Sequence, residues 1–409
     1  MTGVAGAGES GGAAAGERGA VAASALPVVV TCSRGLEEVV ARELDTLGFA
    51  RVEAGRGMVR ARGDATDVLR ANLWLRAATR VLLPVAEGAV DGREALYRLA
   101  RGVAWEDRIG RGQSLAVAVA GGSRAFASSA FAALTVKDAI VDQLRERWGS
   151  RPDVDRADPD LRVHLHLAEP LTTLSLDSTG EPLAHRGYRP RGGPAPLAES
   201  LAAGILLLAG YDGSQPFLDP MCGTGTVAIE AALIATSRAP GLSRRFACER
   251  WLGHDAGRMA ELRGAARAAV TAARAPLRAR DIDPRAVAAT ARNARAAGVS
   301  EIVAVEVGDL RTLAGIAAGS VVVTNPPYGR RIGVGEDLGA LYGELGDVLK
   351  REAVDSSAWL LVGDLELAKR IGLRPRRRIV LFNGPIECRL LGFELFTGSA
   401  ASRRTAATS

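Results

Sequence analysis

Four residues near the C-terminal end of the chain place an amide, two prolines and an aromatic ring directly after an apolar segment. Residues 321–324 have the composition of a buried strand and are followed by Asn325, Pro326, Pro327 and Tyr328. The amide oxygen of Asn325 and the carbonyl of Pro326 can each accept one N–H of an exocyclic base amine. Two such bonds would direct the nitrogen lone pair towards an electrophile, and Tyr328 can stack on the base. An isolated proline-rich turn fits the same residues, so the assignment needs partners elsewhere.

A glycine-rich loop upstream has the arrangement of a ligand-binding turn between a strand and a helix. Residues 219–226 read Asp-Pro-Met-Cys-Gly-Thr-Gly-Thr and continue into an apolar helical segment. Gly223 and Gly225 would let the backbone approach a ligand, and the helix offers its N-terminal amides. The glycine spacing is neither that of a dinucleotide-binding turn nor that of a P-loop. With Asp219 at the strand end, the loop favours a ligand with a cationic amino-acid group, and a purely structural turn is the alternative.

Two further acidic residues stand at the ends of predicted strands. Asp281 is placed to accept the hydroxyl groups of a ribose, as acidic residues do in nucleotide-binding α/β folds. Asp309 ends a third predicted strand and can accept a bond from an adenine amine, although an aspartate here also suits a helix cap. Asp283 precedes Pro284, a combination that predicts a helix cap rather than a ligand contact.

Taken together, these segments resemble the class I S-adenosylmethionine-dependent methyltransferases. Residues 325–333 are similar to the base-binding segment of RNA guanine-N2 methyltransferases, and residues 219–226 are similar to their cofactor loop. The resemblance implies a Rossmann-like domain of the α/β class with a mostly parallel, seven-stranded sheet and with S-adenosyl-L-methionine as cofactor. It implies that the base is held by Asn325, Pro326, Pro327 and Tyr328. It implies that the cofactor is held by Asp219, Met221, Cys222, Gly223, Gly225, Asp281, Asp309 and Asn325.

The first half of the chain has the pattern of smaller α+β units. Residues 36–44 form an amphipathic helix pattern after an apolar strand, and residues 65–75 predict a second helix. Residues 124–144 lead from an aromatic segment into another helix, and residues 161–167 alternate as a strand. This succession resembles the THUMP domain of RNA-modifying enzymes, preceded by the ferredoxin-like module that accompanies it.

The resemblance implies that the first half binds structured RNA. The candidate RNA contacts are Lys137, Arg124, Arg186 and Arg189. Lys137 is one of only three lysines and lies beside the predicted RNA-binding face, although an ordinary surface lysine fits equally. Arg186 and Arg189 stand in a turn-rich segment and can contact phosphate or a base. Tethering of the two halves is the alternative for both arginines.

These patterns divide the chain into six predicted segments. The two ends have compositions typical of disordered tails. The segments are a disordered tail at residues 1–26, a ferredoxin-like module at 27–83, a THUMP RNA-binding domain at 84–178, a linker at 179–195, a methyltransferase domain at 196–397 and a second disordered tail at 398–409.

Composition agrees with this division. A length of 409 residues suits two or three domains, and a net charge of +6 fits an RNA partner as well as many ordinary basic proteins. The four cysteines lack the spacing of a disulfide framework or a zinc site, and no metal is predicted. The sequence has no stretch as long and apolar as a membrane span and no signal peptide. A cytoplasmic monomer is expected.

The predicted function is methylation of the N2 amine of a guanine in structured RNA. The layout most resembles the bacterial family that acts on 23S rRNA, which makes rRNA processing the first expectation. A tRNA guanine-N2 methyltransferase is the second, because such enzymes share these motifs. An adenine-N6 nucleic-acid methyltransferase is less favoured, because the first half and residues 329–333 point to RNA guanine. A non-catalytic RNA-binding factor would predict decayed motifs, whereas these are intact.

Overall fold

Two β-sheets organise the part of the chain that the structure describes. The computed structural model describes residues 25–190, 197–328 and 337–396. An eight-stranded sheet is built from the first half of the chain, and a seven-stranded sheet from the second. Almost all of the two predicted tails, part of the predicted linker and the segment at residues 329–333 lie outside the described residues.

The ferredoxin-like module contributes four strands and two helices. They are β1 (Leu26–Cys32), α1 (Glu37–Thr46), β2 (Ala50–Gly55), β3 (Met58–Gly63), α2 (Ala65–Trp74) and β4 (Ala78–Gly88). Strand β1 pairs antiparallel with both β3 and β4. Helix α1 buries Val39, Val40 and Leu44, the residues whose spacing predicted an apolar face. Asp64 and Asp67 fix the start of α2 because each side chain accepts the backbone N–H of the other residue.

The next unit extends the same sheet. It contains α3 (Arg93–Arg101), β5 (Ser114–Gly121), α4 (Ser129–Trp148), β6 (Asp153–Val154), β7 (Leu161–Leu167) and β8 (Thr172–Asp177). Strand β8 pairs antiparallel with β4, which gives the strand order β2-β3-β1-β4-β8-β7-β5-β6. In β7, buried leucine and valine alternate with half-buried residues, as the sequence predicted. The two N-terminal units are therefore joined by continuous backbone hydrogen bonding.

The second sheet has the order β11-β10-β9-β12-β13-β15-β14. Its strands are β9 (Phe217–Asp219), β10 (Leu277–Asp281), β11 (Val303–Val307), β12 (Val321–Thr324), β13 (Ser356–Val362), β14 (Arg377–Asn383) and β15 (Ile386–Leu395). The first five strands in this order are parallel, and β15 is antiparallel to both of its neighbours. The predicted Rossmann-like, mostly parallel, seven-stranded sheet is confirmed.

Helices connect the parallel strands. They are α5 (Glu199–Leu208), α6 (Thr226–Ala235), α7 (Ala256–Ala268), α8 (Pro284–Ala296), α9 (Leu338–Glu352) and α10 (Leu365–Arg370). Helix α6 is almost entirely buried, which explains its continuous apolar sequence. The Asp283 carboxylate accepts the Arg285 N–H at 2.9 Å at the start of α8, so the predicted helix cap is confirmed. Within the described residues, no helix has the length and apolar character needed to span a membrane.

A buried ion pair holds the linker against helix α6. Glu230 on α6 is fully buried, lies 3.4 Å from the Arg186 guanidinium and accepts a hydrogen bond from the Tyr188 hydroxyl at 3.1 Å. Arg186 also donates to the carbonyl of Arg76 in the N-terminal half. Both charges are removed from water, and each compensates the other. The junction between the two halves therefore depends on this pair.

The structure buries Arg186, which contradicts its predicted contact with RNA, whereas the predicted contact of Arg189 stays a prediction. Arg186 is only 3% exposed. Arg189 donates to the Glu199 carboxylate at 2.9 Å and to the Thr226 hydroxyl at 3.1 Å. A guanidinium uses the same donors for carboxylate and phosphate, so sequence alone did not distinguish the two partners. The alternative prediction, tethering of the two halves, agrees with the contact between Arg186 and the Arg76 carbonyl, whereas both of these Arg189 partners lie in the second half.

Removing the charge of Glu230 should destabilise the fold. Glu230→Gln leaves the buried Arg186 guanidinium without a compensating carboxylate, and we expect the free energy of unfolding to fall by about 3 to 5 kcal/mol. Glu87→Gln is the matched control, because Glu87 lies 4.0 Å from Arg60 in an exposed pair. Its effect should be below about 1 kcal/mol. Urea unfolding measures both variants, and equal losses would contradict the importance of the buried pair.

Candidate active site

Three neighbouring strands end at the same edge of the seven-stranded sheet. Asp219 ends β9, Asp281 ends β10, and Asn325 directly follows β12. Strand β9 lies between β10 and β12 and is parallel to both, so the three carboxyl ends are adjacent. Open α/β sheets bind ligands at this edge. The structure therefore places predicted cofactor-binding and base-binding residues together.

Helix α8 and strand β10 hold the glycine-rich loop. The Gly223 N–H donates to the Asp281 carboxylate at 2.8 Å, and its carbonyl accepts the Thr290 hydroxyl at 2.9 Å. Gly223 and Gly225 have φ values of +55° and +83°, which favour glycine. A Cβ at Gly225 would lie 2.5 Å from the methyl carbon of Thr290. Both glycines are therefore required by backbone conformation, and Gly225 also by its close approach to α8.

Asp219 is the fully buried carboxyl of the site. Its carboxylate accepts the backbone N–H of Met221 at 3.3 Å. Burial raises the pKa of Asp219 to about 7, and the nearby Asp281 carboxylate acts in the same direction. A cationic ligand group beside Asp219 would stabilise its ionised form. The location and charge of this residue suit the ammonium group of an amino-acid ligand.

Asp281 is oriented by two backbone amides. One carboxylate oxygen accepts the Gly223 N–H, and the other accepts the Asp283 N–H at 3.0 Å. Each oxygen retains a further lone pair, so two ligand hydroxyls can still be accepted. Ile282 is 62% exposed next to this carboxylate, which leaves an apolar side chain available to a flat heterocycle. The sequence analysis did not select Ile282, and its position directly after the predicted ribose-binding acid was the available signal.

Met221 and Cys222 belong to the same loop but differ in burial. Met221 is half-buried, whereas Cys222 is buried and donates its backbone N–H to the Arg280 carbonyl at 2.9 Å. The Cys222 sulfur lies 3.6 Å from the Thr290 hydroxyl. Burial raises the pKa of the Cys222 thiol above its ordinary value, so the reactive thiolate is disfavoured. Cys222 is therefore suited to packing of the loop rather than to nucleophilic chemistry.

Asp309 lies two residues beyond the end of β11. It caps a short 3₁₀ helix at Leu310–Thr312 by accepting the Arg311 N–H at 2.8 Å. The Arg311 guanidinium also donates to both carboxylate oxygens and lowers the pKa of Asp309. The carboxylate is consequently shared with Arg311 at the surface. Its predicted contact with an adenine amine stays a prediction.

The Asn325 amide has an unsatisfied acceptor. Its Oδ1 atom is buried and has no hydrogen-bond partner among the described residues. Leaving a buried acceptor unpaired costs about 1 to 3 kcal/mol, which a ligand donor would recover. Pro326 is buried, and the Pro327 carbonyl accepts the Tyr342 hydroxyl at 3.3 Å. Helix α9 thus holds the loop while the Asn325 oxygen stays available for an N–H donor.

Tyr328 is held by residues that the sequence analysis missed. Its hydroxyl accepts the Asn383 side-chain N–H at 3.0 Å and lies 3.7 Å from the Cys388 sulfur. A Cβ at Gly363 would lie 2.3 Å from the tyrosine ring, so a glycine is needed there. Burial raises the pKa of Tyr328 to about 12 and keeps its phenol neutral. The half-buried ring is fixed in place, and its stacking on a base stays a prediction.

The two other candidate RNA contacts lie in the first half of the chain. Lys137 on α4 is partly exposed and pairs with Asp138 at 2.6 Å. Arg124, in the loop between β5 and α4, is exposed and lines a shallow depression with Glu169. Their contacts with RNA stay predictions. Among the described residues, no cluster of three or more potential metal ligands occurs.

Three family models match the chain. The RMKL-like methyltransferase domain matches residues 186–391, which is half of the chain. The chain belongs to the RMKL-like methyltransferase family. The RlmL ferredoxin-like domain matches residues 27–82, and the THUMP domain matches residues 93–177. The predicted family and its three kinds of domain are confirmed, whereas the domain boundaries given by the sequence analysis stay predictions.

Named relatives agree with the family match. The ribosomal RNA large subunit methyltransferase K/L of Pseudomonas paraeruginosa is 41% identical in an alignment of 375 residues that covers 88% of this chain and 52% of the relative. The chain therefore spans about half the length of the curated relatives it matches. Among solved structures, the methyltransferase SMU.472 complexed with SAH has a TM-score of 0.82, 27% identity and coverage of 92% of this chain and 100% of its own. A second solved structure is a protein of Listeria monocytogenes described as a predicted N6-adenine-specific DNA methylase. It has a TM-score of 0.82 and 28% identity, and the match covers 92% of this chain and 97% of the Listeria chain.

The buried Asp219 carboxyl should make stability depend on pH. Its pKa is about 7 in the folded protein, against an ordinary value of 3.8. The stabilising contribution of its neutral form is fully present below the unfolded pKa and is lost as the pH rises through the folded pKa. Wild-type unfolding free energy should therefore fall across this window, relative to Asp219→Asn, by on the order of 1 to 4 kcal/mol.

Denaturant unfolding at several pH values measures this difference. Asp347→Asn is the matched control, because the Asp347 side chain is exposed on α9. The free energy of unfolding of Asp347→Asn should depend on pH in the same way as that of the wild type. A parallel profile for Asp219→Asn as well would contradict the raised pKa.

Proposed function

We propose that this chain transfers a methyl group from S-adenosyl-L-methionine to the exocyclic N2 amine of a guanine in structured RNA, with 23S rRNA as the first candidate substrate. The buried Oδ1 atom of Asn325, which has no hydrogen-bond partner in the described part of the chain, carries this proposal. It is an acceptor at the carboxyl edge of the sheet, where the amine of an extruded base would supply the missing donor. Membership of a methyltransferase family supplies the reaction class.

The residues of the carboxyl edge fit the proposed cofactor. Asp219 suits the ammonium of its amino-acid part, and Asp281 suits its ribose hydroxyls. Gly223 and Gly225, both with positive φ, bring no side chain to the turn of this loop. The exposed side chain of Ile282 offers apolar surface to the adenine. The related structure of SMU.472 contains SAH, which further supports this assignment.

The protein's part in the reaction is to position the base amine. When bound, the cofactor supplies an electrophilic methyl group on a sulfonium. Asn325 accepts one amine N–H and so directs the nitrogen lone pair, while the loop is fixed by Tyr342. Tyr328, fixed by Asn383, limits where the base can lie. Holding the two reacting groups in line can supply most of the rate enhancement, so no strongly basic side chain is required.

The domains of the first half support RNA as the substrate. A THUMP domain matches there, and the Pseudomonas paraeruginosa relative is named as a ribosomal RNA large subunit methyltransferase. Its activity reaches this chain only as a proposal, because the chain spans 52% of that relative. The rRNA assignment is favoured over an adenine amine, since the relative named for rRNA is 41% identical and the structure named for adenine is 28% identical. A cytoplasmic monomer that uses no metal remains our expectation.

Mass spectrometry of nucleosides tests the proposed substrate. Ribosomal and transfer RNA would be isolated from cells with and without the gene and digested to nucleosides. We expect N2-methylguanosine to be lost from 23S rRNA when the gene is absent. Its loss from tRNA would identify the second candidate function, and loss of N6-methyladenosine would overturn guanine as the target.

Substitutions should separate base positioning from cofactor binding. Asn325→Ala removes the acceptor for the amine, and we expect methyl transfer to fall at least about 100-fold with little change in cofactor affinity. Asp281→Ala removes the acceptor for the ribose and the anchor of Gly223, so cofactor affinity should fall about tenfold or more. Calorimetric titration measures affinity, and incorporation of tritiated methyl into RNA measures transfer.

An exposed aspartate provides the control for both substitutions. In the described structure, Asp347 pairs only with Lys350 on the surface of α9. We therefore expect Asp347→Ala to change neither the affinity for the cofactor nor the rate of methyl transfer. Normal turnover by Asn325→Ala would refute the role of the amide. Unchanged cofactor affinity in Asp281→Ala would refute the ribose assignment.

A further inference from the structure

A loop of the ferredoxin-like module lies against the methyltransferase sheet. Gly35, between β1 and α1, has a φ of +91°, and a Cβ there would lie 2.2 Å from the Val380 carbonyl oxygen on β14. Leu36 is fully buried, and a Cβ at Gly204 on α5 would lie 2.6 Å from its side chain. These contacts leave no room for additional atoms. The loop is therefore seated directly on the edge strand of the catalytic sheet.

Arg34 in this loop is an exposed cation supported by an aromatic ring. Its guanidinium carbon lies 4.2 Å from the centroid of the Phe382 ring on β14. Within the parts of the chain that the structure describes, Arg34 has no carboxylate partner. Stacking on an aromatic face fixes a guanidinium while its N–H donors remain available in the ring plane. The Arg34 guanidinium is thus a cationic N–H donor that is held in a fixed orientation and is not paired with a carboxylate of the described residues.

The position of β14 brings Arg34 to the catalytic edge of the sheet. Strand β14 is antiparallel to β15, which is antiparallel to β13, so β14 runs in the same direction as β12 and β13. It ends at Asn383, directly after Phe382, at the edge that also carries Asn325. The Asn383 side chain donates to the Tyr328 hydroxyl at 3.0 Å. Phe382 and Asn383 are neighbours on β14, so their side chains point to opposite faces of the sheet. Arg34 therefore lies at the same end of β14 as the support of the proposed base-binding loop, but on the other face of the strand.

The turn between β2 and β3, next to the Arg34 loop, carries a second positively charged side chain. Arg56 is exposed in the turn between β2 and β3, and a Cβ at Gly57 would lie 3.8 Å from Arg34 Cγ. Glu37 joins the turn to the Arg34 loop, because its carboxylate accepts the N–H groups of Gly57 at 2.8 Å and Gly35 at 2.7 Å. The nearest acid in sequence therefore holds the backbone and does not pair with Arg34. Arg34 and Arg56 are therefore two exposed guanidinium groups on neighbouring loops.

We propose that Arg34, stacked on Phe382, binds a backbone phosphate of the RNA strand next to the target base. This inference rests on the proposed function. It implies that the ferredoxin-like module forms part of the entrance to the substrate-binding site of the catalytic domain. A phosphate is the expected ligand because a fixed guanidinium binds its oxygens through parallel N–H donors. The contact would orient the strand without reading its sequence.

Binding of in vitro transcribed 23S rRNA to the full chain tests this proposal. Arg34→Ala should raise the dissociation constant about tenfold, the loss of one charge-assisted contact. The dependence of log K on log salt should become shallower by about 0.7 to 1, the change expected for one lost phosphate contact. Arg34→Lys, which retains the charge but loses the planar stack, should lie between Arg34→Ala and the wild type.

Arg274→Ala is the matched control, because Arg274 is exposed in the loop before β10, at the opposite edge of the sheet. It should leave affinity and salt dependence unchanged. A salt dependence of Arg34→Ala equal to the wild type would overturn the proposal, even if its thermal midpoint fell, because a structural role alone predicts that result. Absence of measurable rRNA binding by the wild type would overturn it as well.

The binding measurement does not depend on methyl transfer. Failure to find N2-methylguanosine would therefore overturn the proposed function, while the salt dependence would still decide the role of Arg34. Conversely, normal RNA binding by Arg34→Ala would leave the proposed methylation reaction intact.

Discussion

The hydrogen bond between the Gly223 N–H and the Asp281 carboxylate joins two loops that are far apart in sequence. It ties the glycine-rich loop after β9 to the end of β10 at 2.8 Å. The same carboxylate accepts the Asp283 N–H, so the start of α8 is fixed together with the loop. Thr290 on α8 closes the arrangement by donating to the Gly223 carbonyl. The shape of the proposed cofactor site therefore follows from one partly buried set of polar contacts.

The loop at residues 325–328, on the other side of the site, is held in place by a different set of contacts. The proposed base-binding loop is held by hydrogen bonds from Tyr342 on α9 and from Asn383 at the end of β14. These bonds occupy the Pro327 carbonyl and the Tyr328 hydroxyl, whereas Asn325 Oδ1 has no partner among the residues that the structure describes. An unsatisfied acceptor whose neighbours are held in place is preorganised, because its orientation is set before a donor binds. Rigidity of the loop and availability of its acceptor are thus supplied by different residues.

Much of this arrangement could be predicted from short segments of sequence. The Asn-Pro-Pro-Tyr segment, the glycine loop and Asp281 each combine a strand end with a distinctive turn, and the structure brings them together. Burial of Arg186 could not be predicted, because it depends on Glu230, which is 44 residues away and lies on a buried helix. Asn383 was missed for a related reason. Its role comes from the order of strands in the sheet, which places β14 at the edge and its end beside Tyr328.

The junction between the halves gives the structure a way to select one nucleotide of the proposed RNA substrate. The base-binding loop presents an acceptor that any exocyclic amine could satisfy, so it cannot choose a nucleotide by itself. Arg186 contacts both Glu230 and the Arg76 carbonyl, and Gly35 leaves no space against β14. The distance from the first half to Asn325 is therefore fixed. If the first half binds a folded RNA element, only a base at a set distance from that element can reach the loop. Site selection would then be a property of the whole chain, and substitutions that loosen the junction should reduce selectivity before they reduce the chemistry.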